Sequence, residues 1–130
     1  MLKQIFLAIA LIAVPVGVFS GFEVYAASKS SATQTGLGDL SNFKVIIADV
    51  QTFVDKNDMA GAKARITDFE TAWDQAETAV RPLSQTQWGN IDQASDGALS
   101  AVRRGTPDPA AAKAALATLM ATLNDPSKAP

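Results

Sequence analysis

The apolar spacing from residue 59 to residue 80 constrains the fold of this chain more than any other feature. Apolar side chains recur there at alternating intervals of three and four residues, at Met59, Ala62, Ile66, Phe69, Trp73, Ala76 and Val80. Because an α-helix completes a turn about every 3.6 residues, this spacing places all of them on one face of an amphipathic helix. Such a face must be buried against other elements, which the rest of the chain has to supply.

Three further segments carry similar stripes, so the sequence predicts four helices, at about residues 39–56, 58–80, 84–104 and 108–124. The additional stripes consist of Leu40, Phe43, Ile47, Val50 and Val54, then Ile91, Ser95, Ala98, Leu99 and Val102, then Ala112, Leu116, Leu119 and Leu123. No sustained alternation of apolar and polar residues favours a strand. Because the connecting loops are short, neighbouring helices must run antiparallel. The predicted fold is all-α, an up-down-up-down antiparallel four-helix bundle over residues 39–124 preceded by an N-terminal hydrophobic segment.

Polar residues mark the predicted helix starts. Asp39, Asp58 and Asp108 each precede an apolar stripe, and an aspartate there accepts a hydrogen bond from a free backbone N–H of the first turn. Proline follows Asp108 at the first helical position, where its fixed φ angle suits the helix. Ser84 and Gln87 fit a capping box, in which each side chain bonds the other's backbone N–H.

The predicted helix ends are marked less strongly. Leu83 and Trp88 flank the third N-cap as a hydrophobic staple. Asn57 tolerates the left-handed conformation that ends a helix, and Gly105 is the predicted C-terminal cap of the third helix. Arg103, in the last turn of that helix, is explained by its favourable position in the helix dipole, and an anion-binding role is the alternative. Residues 125–130 are expected to form a disordered tail.

The N-terminal residues predict export. Lys3 is followed by an apolar run, and the next charged residue is Glu23. This layout is typical of a secretory signal over residues 1–26, with cleavage after Ala26. The alternative is an uncleaved membrane anchor formed by residues 4–22, which approach the length of a membrane helix. Both interpretations place the bundle in the periplasm, free or anchored to the inner membrane, behind a flexible linker over residues 27–38.

Composition excludes several classes of function. The formal net charge of the 130-residue chain is −2 with acidic and basic residues intermixed, which argues against nucleic-acid binding. The chain has no cysteine, and therefore no disulfide, thiolate metal site or covalent haem attachment. It has no histidine either, which removes the commonest metal ligand and general base. Since the usual nucleophile–base pairs cannot be built, we predict neither an enzyme nor a bound cofactor.

The second and third predicted helices supply the candidate binding surface. Glu70, Asp74 and Glu77 recur one turn apart, and Asp92 or Asp96 of the third helix would lie opposite them. These carboxylates could gather a cation, and a solvated helix rim is the alternative. Trp73 belongs to the apolar stripe and is expected in the core, whereas Trp88 could stack on a ligand. The candidate surface for a ligand or partner consists of Glu70, Asp74, Glu77, Trp88, Asp92 and Arg103.

The architecture over residues 39–124 resembles the periplasmic b-type cytochromes, which are small exported four-helix bundles. The resemblance implies the fold. Those proteins hold haem between a methionine on the first helix and a histidine on the last. This chain has no histidine, and its internal methionines are Met59 and Met120, so haem binding is not implied.

Two stretches carry a closer resemblance, residues 58–66 (DMAGAKARI) and 69–74 (FETAWD), with a later part at Trp88, residues 91–92, 98–99 and 102–103. They resemble small exported proteobacterial helical-bundle proteins of unassigned function, some of which are labelled histidine-kinase-related. The resemblance implies a sensor-like periplasmic bundle. Kinase chemistry finds no counterpart here, since the chain lacks a phosphoacceptor histidine and a glycine-rich nucleotide loop.

The sequence thus predicts a non-catalytic envelope protein that acts as a binding, sensing or accessory module. The first hypothesis is recognition of an unidentified protein or small ligand through a groove between the second and third helices. The second is metal or haem handling at the acidic rim. The third is a structural protein that forms homodimers through an apolar face of the bundle.

Overall fold

The computed structural model describes residues 36–130, and the predicted signal or anchor and most of the linker lie outside the described residues. Four α-helices follow one another: α1 (Ser41–Asp55), α2 (Met59–Val80), α3 (Gln85–Val102) and α4 (Pro109–Asn124). A short 3-10 helix, Arg81–Leu83, joins α2 to α3. No strand occurs between residues 36 and 130, so the all-α prediction is confirmed.

The four helices pack in a ring in which each helix contacts two neighbours. Helix α1 packs against α2 and α4, and α3 packs against α4 and α2. The closest packing lies within the two hairpins, α1–α2 and α3–α4. Helices α2 and α3 make the least extensive contact of the four neighbouring pairs. The bundle is therefore loosest along the line where α2 meets α3, which we call the α2–α3 seam.

The predicted stripes form the core. Fully buried side chains come from all four helices and from the residue just before α1, and include Leu40, Ile47, Val50, Val54, Ile66, Phe69, Ile91, Val102, Leu116, Leu119 and Leu123. Burying one such side chain contributes about 1.5–3 kcal/mol. On α2 the stripe is buried from Met59 to Trp73, whereas Ala76 and Val80 are only partly buried. The core thus thins toward the C-terminal end of α2.

The turn between α1 and α2 forms as the sequence predicts. Asn57 adopts a left-handed φ of 58°. The backbone N–H groups of Asn57 and Asp58 donate to the carbonyls of Val54 and Phe53, at 2.9 and 2.8 Å, which satisfies the end of α1 in a Schellman motif. The Asp58 carboxylate then accepts from the Gly61 N–H at 2.9 Å, so both helix termini are capped within two consecutive residues.

The start of α1 differs from the expectation by one residue. The N-cap position is Leu40 rather than Asp39, and Leu40 has no side-chain acceptor. The Asp39 carboxylate instead accepts from the Ser41 backbone N–H at 2.9 Å. Hydrogen bonds from the Ser41 hydroxyl and N–H hold the pKa of Asp39 below its ordinary value. Asp39 still satisfies a free donor of the first turn, but from outside the helix.

The predicted capping box at α3 is only half formed. The Ser84 hydroxyl accepts from the Gln87 backbone N–H at 3.3 Å, as expected. Within residues 36–130, the Gln87 side-chain oxygen is buried without a hydrogen-bond partner, so it does not accept the reciprocal bond from the Ser84 N–H. Of the two residues predicted to form the staple, Leu83 is 59% exposed while Trp88 is buried. Trp88 packs against another tryptophan, and that contact replaces the staple.

The end of α3 corrects two further expectations. The helix ends at Val102 with Arg103 as its C-cap, and the Arg103 N–H donates to the Leu99 carbonyl at 3.0 Å. Gly105 is not left-handed and does not cap the helix, since Gly38 is the one described glycine with a positive φ. The Arg103 side chain leaves the end of its own helix and reaches α2, because a carboxylate there offers a stronger partner than the helix dipole.

Helix α4 begins as predicted. The Asp108 carboxylate accepts from the Ala111 N–H at 3.1 Å, and Pro109 occupies the first turn. The chain remains attached to the bundle just beyond the helix, where Pro126 is buried and its carbonyl accepts from the Asn90 side chain at 2.8 Å. This bond ties the end of α4 to α3.

Candidate functional site

A stacked pair of tryptophans fills the α2–α3 seam. The Trp73 and Trp88 rings lie 4.0 Å apart between centroids and 6° from parallel. Both are buried, at 2% and 7% exposure. Phe43 of α1 meets Trp73 edge-on at 5.2 Å, and Phe69 lies parallel to it at 6.2 Å. Two facing indoles occupy more width than the aliphatic side chains elsewhere in the core, which explains why α2 and α3 pack less closely.

A surface groove of about 410 Å³ opens over this aromatic pair. We call it the α2–α3 groove. Its lining comes from the last turns of α2, the connecting segment and the first turns of α3, and consists of Asp74, Glu77, Arg81, Gln85, Trp88, Gly89 and Asp92. The core thins at this end of α2, so the groove lies where the stripe becomes only partly buried.

Four of the six predicted site residues line this groove together: Asp74, Glu77, Trp88 and Asp92. Asp92 accepts a hydrogen bond from the Trp73 indole N–H at 3.3 Å. Glu77 pairs with Arg81, one turn further along the chain, at 2.8 Å. Within residues 36–130, neither Asp74 nor Asp92 takes part in an ion pair. The groove therefore presents two carboxylates without a cationic partner, one from each wall.

The other two predicted residues, Glu70 and Arg103, bind each other across the seam. The Arg103 guanidinium donates to both Glu70 carboxylate oxygens, at 3.0 and 3.1 Å, and to the Thr67 hydroxyl at 3.1 Å. These hydrogen bonds lower the pKa of Glu70 and raise the pKa of Arg103. The pair lies outside the groove lining, one helical turn from Asp74 along α2. The sequence explains Arg103 by its favourable position in the dipole of α3. The structure instead shows Arg103 in a bidentate ion pair with Glu70 of α2.

The predicted surface leaves out three lining residues, Arg81, Gln85 and Gly89. Arg81 follows Glu77 by four residues, a spacing that predicts a helical ion pair and could have identified it. Gly89 has no side chain to fill the groove, and a Cβ added there would meet no atom within 4 Å. No local sequence signal marks Gln85 or Gly89 as lining a groove, because that depends on how α3 packs against α2.

The metal-handling hypothesis requires several ligating side chains that converge on one point. No group of three histidine, cysteine, aspartate or glutamate side chains in residues 36–130 converges on one point. The acidic rim thus gives no support to the metal-handling hypothesis in the described part of the chain. For haem handling, the chain offers neither a histidine nor a cysteine as an iron ligand.

A second depression, of about 340 Å³, lies between α4 and the residues that follow it. Its lining is formed by Thr118, Ala121, Thr122, Asp125, Lys128, Ala129 and Pro130. Its two charged residues, Asp125 and Lys128, pair with each other at 3.2 Å. Its two charged side chains are therefore paired with each other, unlike Asp74 and Asp92 of the α2–α3 groove.

The described surface has few large apolar residues. Val45 on α1 is 58% exposed and Leu83 after α2 is 59% exposed, and they belong to different elements. They form no continuous apolar face of the kind that a dimer interface would use. None of the helices described between residues 36 and 130 has the length and apolarity needed to cross a membrane.

No protein-family model, no curated protein and no solved structure matches this chain. The resemblance drawn from residues 58–66 and 69–74 therefore stays a prediction. Function has to be argued from the α2–α3 groove itself.

Proposed function

We propose that this protein is a non-catalytic binding module of the bacterial envelope, and that the α2–α3 groove binds a cationic group, a guanidinium or an alkylammonium. One observation carries the proposal. Asp74 and Asp92 face the same groove from two helices, beside the indole of Trp88, and neither forms an ion pair within the described residues.

The groove suits a long cationic side chain or its free analogue. Such a group has a charged head and an apolar stem, and stems pack along apolar surface while the head stays near water. The carboxylates would bind the head, and Trp88 would contact the stem. The groove lining carries three carboxylates against one guanidinium, and a concave surface with such an excess of one sign concentrates ions of the opposite sign. The Glu77–Arg81 pair leaves Asp74 and Asp92 as the available anions.

The envelope location rests on the sequence of residues 1–26. The test is the intact mass of the protein recovered from a Gram-negative envelope fraction. A mass that begins at Ala27 in the soluble periplasmic fraction supports cleavage and a free bundle. A full-length mass in the membrane fraction supports the anchor. Recovery from the cytosol alone would overturn the proposed location.

The binding test is a titration with an end-capped tri-arginine peptide, followed by the fluorescence of the chain's two tryptophans, which both lie in the seam. We expect a saturable change at low salt that weakens as salt is added, because exposed charge pairs are screened. An end-capped tri-glutamate peptide is the control ligand and should leave the fluorescence unchanged. Absence of a saturable change with the arginine peptide would overturn the proposed function.

Asparagine substitutions locate the binding. The D74N/D92N variant removes two charges from the groove and keeps the shape of both side chains, so the affinity should fall. The matched control is D49N/D68N, which removes the same charge from the two partners of Arg65 outside the groove. Equal losses of affinity in the two variants would show that binding depends only on net charge. The groove would then be rejected as the binding site.

The size of the natural ligand is tested with agmatine, a free guanidinium that also carries an amine. Agmatine binding as tight as that of the peptide would indicate a small cationic metabolite. Binding of the peptide alone would indicate an arginine-bearing segment of a partner protein, because only the peptide offers further contacts outside the groove.

A further inference from the structure

We propose, building on the binding function proposed for the α2–α3 groove, that Arg103 is an internal competitor of the cationic partner. Its guanidinium occupies Glu70, the next carboxylate beyond the groove on α2, and so limits the acidic surface to the groove itself. Displacing or removing Arg103 would lengthen that surface by one helical turn.

The carboxylates form a row along the seam. Glu70, Asp74 and Glu77 follow one another at intervals of four and three residues on α2, so they share one face of that helix. Two arginines form ion pairs with the carboxylates at the two ends of this row. Arg81 binds Glu77 at 2.8 Å and Arg103 binds Glu70 at 3.0 Å, while Asp74 in the middle forms no ion pair with any residue of the described range 36–130.

The contact made by Arg103 has the geometry that an arginine of a partner would adopt. Two N–H groups donate in parallel to the two oxygens of one carboxylate, a fork that suits guanidinium and not ammonium. The acidic row therefore already holds one guanidinium supplied by the chain itself. A second guanidinium arriving from outside could make the same bidentate contact with Glu70, against an arginine that is tethered beside it.

The contact is also suited to exchange. The Arg103 and Glu70 side chains remain 39% and 38% exposed, so water reaches the pair and the ion pair contributes little net stability. Arg103 lies just past the last residue of α3, and residues 103–107 are all exposed. Its side chain can swing away from α2 without unwinding the helix or opening the core.

The test compares R103Q with the unaltered full chain in the tri-arginine titration. Release of Glu70 should raise the affinity about three- to fivefold at low salt, the gain that one exposed ion pair provides. The matched control is R65Q, which has the same charge change and also breaks an ion pair between helices, the Arg65–Asp49 pair of α1 and α2. We expect R65Q to change the affinity by less than about twofold, since its carboxylates lie away from the groove.

Two additional variants separate competition from a structural role. The R103Q/E70Q double variant should bind with the original affinity, because the released carboxylate is absent. R103K keeps the charge but cannot form the fork, so its affinity should lie between those of R103Q and the unaltered chain. A structural role would change the melting temperature and leave these affinities alike.

The outcomes are distinguishable from those of the proposed function. If the unaltered chain binds the peptide and R103Q binds it no more tightly, the competitor role is overturned and the binding function stands. If R103Q and R65Q gain affinity equally, net charge explains the effect and the competitor role is again overturned. If neither the unaltered chain nor R103Q binds, both proposals fail.

Discussion

The turn between α1 and α2 and the seam between α2 and α3 join antiparallel helices by opposite means. At the turn, Asn57 and Asp58 cap both helices, and Gly61 lets the backbone of α2 approach the Phe53 ring. At the seam, two large indoles separate the helices, and charged side chains fill the margin. At the turn, the α2 backbone and the Phe53 ring pack so closely that even a Cβ at Gly61 would lie 2.6 Å from the ring. The wide seam stays stable through aromatic contacts and leaves a groove above them.

Truncation of Trp73 is the strongest way to break this comparison. Trp73 is 2% exposed and contacts Phe43, Phe69 and Trp88. Replacing it with alanine should lower the free energy of unfolding by about 3–5 kcal/mol through the lost burial and the cavity left behind. Chemical denaturation measures this change, with T71A on the exposed face of α2 as the control. A loss below about 1 kcal/mol would mean that the aromatic pair does not hold the seam.

Two glycine-to-alanine substitutions sharpen the comparison because they should have opposite signs. A Cβ at Gly61 would lie 2.6 Å from the Phe53 ring and 2.7 Å from the Asp58 carboxylate, so G61A should destabilise the protein by about 1–3 kcal/mol. A Cβ at Gly89 would meet nothing, so G89A should stabilise α3 by about 0.5–1 kcal/mol through helix propensity. The melting temperatures of both variants, compared with that of the unaltered chain, measure the two effects. Two changes of the same sign would contradict the contrast between a tight turn and an open groove.

The N-cap residues of α2 and α3 test the same contrast between turn and seam, with a smaller expected change in stability. Asp58 accepts from Gly61 at 2.9 Å at the turn, whereas Ser84 accepts from Gln87 at 3.3 Å beside the seam. Each cap replaced by alanine should cost about 1 kcal/mol, with the larger loss for D58A because its bond is shorter and involves a charged acceptor. Unfolding curves of D58A and S84A measure the difference. A larger loss of stability for S84A than for D58A would contradict the expectation that the turn is capped more strongly than the seam.

The sequence predicts the turn better than the seam, and the reason is physical. Caps such as Asp58 and left-handed residues such as Asn57 act over a few neighbouring positions, so their partners can be named from the sequence. The ring that covers Trp88 and the carboxylate that binds Arg103 lie on another helix. The helical period identifies which face carries each side chain but not the rotation and spacing of two facing helices. For this reason, the sequence can group the candidate residues on the facing sides of two helices but cannot divide them between a groove and an ion pair.

The smallest expected effect is a pH dependence at the seam. Hydrogen bonds from Arg103 lower the pKa of Glu70 below its ordinary value of 4.5. The folded state thus favours the ionised carboxyl, and the resulting stability is fully present above pH 4.5 and is lost as the pH falls through the lowered pKa. At neutral pH the E70Q variant should be less stable by no more than about 1 kcal/mol, since the pair is exposed.

The measurement is the free energy of unfolding of the unaltered chain and of E70Q between neutral and acidic pH. The difference between them should vanish toward the acidic end, because both side chains are then uncharged. The control is E77Q: Glu77 pairs with Arg81 on the same side of the seam, so its loss does not release a contact between α2 and α3. A difference between the unaltered chain and E70Q that stays constant with pH would mean that Glu70 acts through packing. The seam would then be held by its indoles alone, and Arg103 would have no carboxylate to compete for.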